Sequence, residues 1–129
     1  MMNSTNEIRP ISTTEIENRD GLYIYKFPRI DLDFSDTPAL RQSFLNTLQS
    51  SDFRSLIIDF TNITFADAAV CGMLVATAKR VNKHPNQCTM VIDIMGNEER
   101  SVRRIFSFQD FYKNVGAFVI SDQAFEGNP

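Results

Sequence analysis

Leu56-Ile57-Ile58-Asp59-Phe60-Thr61-Asn62-Ile63-Thr64-Phe65-Ala66-Asp67-Ala68-Ala69-Val70-Cys71-Gly72-Met73-Leu74 is the stretch on which the reading of the fold turns. It opens with a short, nearly continuous apolar run, Leu56 to Phe60, of the kind found in sheet-centre strands covered on both faces. It ends in residues with helical apolar spacing, which predict a helix from about Ala68 to Lys83. Thr89-Met90-Val91-Ile92-Asp93-Ile94 repeats the buried-strand pattern. Strand, helix and strand in this order indicate an α/β fold.

Working outward, Leu22 to Phe27 is rich in β-formers and is stopped by Pro28. A weaker extended stretch from Ile11 to Ile16 precedes it, and Asp20-Gly21 between the two marks a hairpin turn. A helix is expected to start near Asp36-Thr37-Pro38, capped by Asp36 or Thr37, with Leu40, Phe44, Leu45 and Leu48 on its buried face. After the last buried strand pattern, Asn97 is placed to cap a helix through Phe106, with Val102, Ile105 and Phe106 as its apolar stripe. Ala117 to Ile120 reads as a final strand. The expected architecture is one α/β domain over residues 9–125: a mixed sheet with an N-terminal hairpin, parallel central strands and helices packed on it. Residues 1–8 and 126–129 read as polar tails.

Composition narrows the function. The 129 residues and 14.7 kDa suit a single domain. Leu, Ile, Val and Phe supply 37 of them, enough for a buried core. A net charge of −3 argues against a surface that neutralises nucleic-acid phosphates or lies on an anionic membrane. No apolar run approaches the ~18–20 residues that span a bilayer, and the polar N-terminus lacks the apolar centre of a secretory signal. Two separated cysteines, Cys71 and Cys88, and the single His84 disfavour a zinc site or CxxC redox pair. No P-loop or G-x-G-x-x-G is present, and no cofactor is expected. The chain reads as cytoplasmic, where a Cys71–Cys88 disulfide is disfavoured.

From about Leu22 to Phe125 the sequence resembles the STAS domain family of anti-sigma factor antagonists and sulphate-transporter tails. Pro28-Arg29-Ile30-Asp31 resembles the family's G-x-L-D turn, Leu56 to Phe60 its central strand, and Phe65 to Gly72 its F-x-D-S-S/T-G-x-G signature. The departures are specific. Ala68 stands at the usual phosphoacceptor serine and Ala69 at the next position, so neither carries a hydroxyl for a kinase. Phosphorylation would add about −1.5 to −2 charges at this helix end, the switch that releases a partner in the family. Val70 and Pro28 each replace a family glycine. The alanines fit either a natural non-switching member or an engineered replacement, and Val70 favours the first.

The resemblance implies a non-enzymatic bacterial signalling module that binds a serine kinase/anti-sigma factor with a histidine-kinase-like fold. The expected docking face comprises Ala68, Gly72, Ala76 and Lys79 on one side of the helix, with the loop containing Thr64 and Asp67, which is placed to cap that helix. Asp31 joins it from the early turn, where family members engage the kinase, and Asn97 borders it from the turn at Met95-Gly96-Asn97. The competing expectation for the small residues is packing against a neighbouring helix of the same domain. Asp59 reads as structural, and Cys71 as a small buried residue whose place near a helix start could lower its thiol pKa. Arg100, Arg103 and Arg104 read as a solvated face.

Two other functions stay open. The chain could be a structural STAS subunit of a stressosome-like or transporter-associated assembly, with other STAS proteins as partners. In a different class, it could be a Mg²⁺-dependent receiver-like domain using Asp59 and Asp93, although the acidic pair and lysine of that pattern are not evident.

Overall fold

The central strands of the sheet bury alternate apolar residues, while its first strand is polar and largely exposed. The structure, a computed structural model, describes residues 14–106 and the backbone of residues 118–121. Strands β1 (Glu15–Arg19) and β2 (Leu22–Lys26) form an antiparallel hairpin. Strands β4 (Ser55–Asp59), β6 (Thr89–Asp93) and β7 (Phe118–Ser121) then extend from β2 in parallel, in the order β1-β2-β4-β6-β7. The hairpin turn uses Asp20 at φ 53° and Gly21 at φ 91°, the left-handed pair that matches strand twist. A side chain at Gly21 would also run into the Asp52 carbonyl oxygen.

Helix α1 (Thr37–Leu48) buries Leu40, Phe44, Thr47 and Leu48, and α2 (Ala68–Asn82) buries Val70, Met73, Leu74, Thr77, Ala78 and Val81. Both belong to one core with Leu56, Ile58, Met90 and Ile92 of the central strands. The α/β class, the hairpin and the parallel centre are as the sequence predicts; the later strands shift by about a residue, but the first strand is Glu15–Arg19 rather than Ile11–Ile16. Leu45 is only half-buried, so α1 covers the core with a narrower stripe than its spacing suggests.

Three local features differ from expectation. Asp36 stands at the α1 N-cap but its side chain does not cap that helix; Asp33 instead caps a one-turn 3₁₀ helix, Phe34–Asp36, in a reciprocal capping box with the Asp36 side chain. A second, two-residue parallel ladder, β3 (Asp31–Leu32) with β5 (Phe65–Ala66), has no counterpart in the sequence reading because two residues carry no period. Helix α3 runs only from Arg100 to Ile105, with Glu99 rather than Asn97 at its N-cap. The Asn97 amide donates to the Phe60 and Ile63 carbonyls at 2.7 and 2.9 Å, and its oxygen accepts from Glu99 N–H at 2.8 Å, which holds the chain in a turn until Arg100. The polar tails, residues 11–13 of the early extended stretch, and Phe108, Phe111 and Ala117 lie outside the described residues.

Tyr25 joins sheet to helix. Its ring is buried and its hydroxyl meets the Ser43 carbonyl (3.0 Å), the Ser43 hydroxyl (2.8 Å) and the Thr47 hydroxyl (2.7 Å) on α1. These bonds let a buried hydroxyl keep the partners that water would otherwise supply.

Candidate functional site

The small β3–β5 ladder brings the two sequence motifs together. Asp31 lies opposite Phe65, both facing outward, and Leu32 lies opposite Ala66, both buried. The Thr64 hydroxyl donates to the Asp31 carboxylate, and Thr64 N–H donates to the Ile30 carbonyl at 2.9 Å. Thr64 and Asp31 are thus neighbours, although 33 residues separate them.

Asp67 is the hinge of the arrangement. Its Oδ1 accepts from Val70 N–H at 3.0 Å, capping α2, while its Oδ2 accepts from Phe34 N–H at 2.9 Å. One carboxylate thereby satisfies an orphan amide of the helix and fixes the 3₁₀ turn beside it. The aromatic ring this turn carries, Phe34, is 68% exposed, and Phe65 is 41% exposed. Sequence reasoning does not single out Phe34; its only signal is an aromatic residue set among Asp33, Ser35 and Asp36. On the other side of α2, Ala66 N–H donates to the Ser101 hydroxyl oxygen at 3.1 Å, tying β5 to α3.

Ala68, Ala69, Gly72, Ala76 and Lys79 are all exposed along α2. A Cβ added at Gly72 would meet nothing within 4 Å, so these small residues make room for no neighbour within the described domain. Asn97 is not brought to this surface: it is 4% exposed and its side chain is committed to the loop carbonyls. Its contribution is to hold the Phe60–Ile63 loop beneath the site.

The titratable groups beside the site have defined local roles. Cys71 is half-buried, and burial pushes its thiol above the ordinary value, away from an activated nucleophile. Asp59 Oδ1 accepts from the Thr61 N–H (2.9 Å) and hydroxyl (2.6 Å), and Asp93 Oδ1 accepts from Met95 N–H (3.0 Å). Both strand-end carboxylates close their own turns. Among the described residues, no three His, Cys, Asp or Glu side chains stand close enough to hold a metal ion, and no helix is long and apolar enough to cross a membrane.

Solved structures share this fold. The anti-sigma factor antagonist SpoIIAA in its unphosphorylated form superposes with a TM-score of 0.61 at 13% identity, covering 88% of this chain and 93% of that one. An anti-sigma factor antagonist from Mycobacterium paratuberculosis does so at 0.61 and 20% identity, covering 87% of each chain. The murine anion transporter Slc26a9 in its inward-facing state matches at 0.54 and 19% identity over 81% of this chain, which corresponds to 17% of the transporter. No curated protein matches by sequence. The STAS domain model matches residues 13–115, which is most of the chain, and the protein belongs to the STAS domain family.

Proposed function

We propose that this protein is a non-enzymatic, cytoplasmic anti-sigma factor antagonist-like module that docks a serine kinase/anti-sigma partner on the α2 face and is blind to phosphorylation there. The observation that carries the reading is the first turn of α2. Ala68 and Ala69 are exposed where the family signature places hydroxyls, and the face continues through Gly72 and Ala76 with no side chain larger than a methyl. Such a surface allows another backbone to approach closely. With no acceptor at those positions, output would follow the abundance of this protein or the nucleotide state of the partner. The fold likeness to antagonists along nearly their whole length supports the class of function.

The test is affinity capture from the native cell lysate with wild type and Gly72→Arg side by side, followed by kinase assays on the retained protein. The expected result is an ATPase-fold kinase held by wild type and lost by the variant, with no phosphate transferred to wild type and transfer gained by Ala68→Ser. Equal retention by both baits would refute docking on this face. The second reading, a subunit of a STAS assembly or transporter complex, is favoured by the likeness to a portion of the Slc26a9 anion transporter. It predicts other STAS chains or a membrane transporter in the wild-type capture.

A further inference from the structure

Helices α1 and α2 carry charge of one sign. Residues 37–51 and 68–92 contain Arg41, Lys79, Arg80 and Lys83 and no aspartate or glutamate, although the chain holds 16 of these acids and is −3 overall. Between the carboxyl ends of the two helices lies an open cleft of about 280 Å³. Leu45, Leu48 and Pro85 give it an apolar lining, to which Arg80 and Lys83, both exposed, add two cations. Neither cation makes an ion pair among the described residues, and none of those lining the cleft is a carboxylate. His84 fixes the shape of the cleft. Its Nε2 lies 3.1 Å from the Leu48 carbonyl oxygen at the end of α1, and its Nδ1 accepts from Asn86 N–H at 3.2 Å. A carbonyl only accepts, so Nε2 carries the ring proton, and the imidazole ties the end of α1 to the turn after α2. Compensation of the helix dipole accounts for Lys79 and Arg80 in the last turn of α2. It does not account for the lack of acids along both helices, whose first turns would gain from one.

We infer that this cleft receives an acidic segment of a protein partner, with an apolar side chain seated on Leu45, Leu48 and Pro85 and flanking carboxylates facing Arg80 and Lys83. Charge complementarity selects the occupant: the helix layer repels a basic segment and attracts an acidic one. Two cations neutralise too few phosphates to hold a nucleic acid. A lipid surface would call for an apolar wedge, and the large apolar side chains exposed among the described residues, Ile16, Phe34, Phe65 and Met95, all lie off α1 and α2. This surface is separate from the docking turn proposed above. The 15 residues of α2 rise about 1.5 Å each, which sets the cleft about 22 Å from the Ala68 end. One domain can therefore hold two partners at once, one at each end of the same helix.

The experiment titrates the isotope-labelled full chain with two short blocked peptides, each with a central leucine, one flanked by glutamates and the other by lysines, followed by amide NMR shifts. The acidic peptide is expected to shift Leu45 to Gln49 and Arg80 to His84, and to bind about tenfold more tightly than the basic one at low salt. Arg80→Glu/Lys83→Glu should invert that preference. Should the reversed chain fail to fold, Arg80→Gln/Lys83→Gln should abolish it instead. Shifts that ignore peptide charge or map elsewhere would overturn the inference, and no shifts at all would leave Arg80 and Lys83 to the helix dipole alone. Cleft signals that move with protein concentration, or with phosphatidylglycerol vesicles but not with the acidic peptide, would assign the cleft to a second copy or to a membrane and overturn it equally. Gly72→Arg should bind the acidic peptide as wild type does, so the cleft stands or falls apart from the docking turn; peptide binding lost in that variant would place the peptide on the first turns of α2 and refute the cleft.

Discussion

Gly72 is the position where stability and binding should part company. It is the fifth residue of the 15-residue α2, well inside the helix, and its missing Cβ faces open space. Glycine in an exposed helix interior costs about 0.8–1 kcal/mol relative to alanine, because it orders more backbone freedom and buries nothing in return. Nothing within 4 Å offsets that gain, so Gly72→Ala should stabilise the free protein by about 0.8–1 kcal/mol. With an unfolding entropy of about 2.1 cal/mol/K per residue, a chain of this length has about 0.27 kcal/mol/K, and the melting temperature should rise by about 3–4 °C. Arginine is nearly as good a helix former as alanine, so Gly72→Arg should also melt slightly higher, by about 2–3 °C. Both shifts are read by calorimetry on the free protein. Capture of the partner, read in parallel, should weaken with alanine and vanish with arginine. A melting temperature lowered by either substitution would refute the exposed placement of Gly72, since it would mean that the side chain meets something. A stabilised Gly72→Arg that still binds at full strength would refute the docking face itself.

Other positions give outcomes of opposite sign or different origin. Gly21→Ala places a Cβ at φ 91° against the Asp52 carbonyl, and should lower stability by about 2–3 kcal/mol in urea denaturation; an unchanged midpoint would contradict the turn geometry. Tyr25→Phe strips the Thr47 hydroxyl of a buried partner, and should cost about 1–2 kcal/mol by the same assay with little change in slope. Asp67→Ala removes both the α2 cap and the tie to Phe34, so it should cost about 1–2 kcal/mol and speed amide exchange at Phe34, whereas Asp67→Asn should recover most of the cap. The Asn18 amide (3.0 Å) and Tyr23 hydroxyl (2.7 Å) hold the Asp52 carboxyl below its ordinary value. The unfolded chain therefore takes up this proton first on acidification. The contribution of Asp52 is complete above its unfolded pKa, and is lost as pH falls through the lower folded value. A carboxyl NMR titration should place Asp52 below the ordinary aspartate range; a midpoint at or above that range would show that the two donors do not favour its ionised form.

The central layers were legible because their signals are local. Leu56 to Phe60 and Thr89 to Ile94 announce buried strands within a window of a few residues, and the spacing of Val70, Met73, Leu74, Thr77 and Val81 announces which side of α2 meets the sheet. The exposure of Ala68, Gly72 and Ala76 follows from the same periodicity. Asp36 shows where local reasoning stops. Its position before Thr37-Pro38 satisfies the statistics of a cap, yet its side chain turns back to Asp33 N–H at 2.9 Å, and the helix start is prepared one turn earlier.

The site itself is assembled by bonds that no local window contains. Thr64 to Asp31 and Asp67 to Phe34 each span 33 residues, Ala66 to Ser101 spans 35, and Asn97 to Phe60 spans 37. Each ties a loop at the carboxyl ends of β2, β4 or β6 to another, so the surface exists only once the parallel register has brought those ends side by side. That dependence explains why Asn97 looks like a cap or a contact residue in the sequence and is a buried strut in the fold. The Phe60–Ile63 turn presents two buried carbonyls, of which Phe60's already accepts the Ile63 N–H, and Asn97, arriving from the next strand, donates to both with one amide. The same logic sets the division of labour at the surface. Polar side chains at the strand ends are spent inward on holding the loops, and the residues left exposed beside them are small or aromatic: Phe34, Phe65, Ala68 and Gly72.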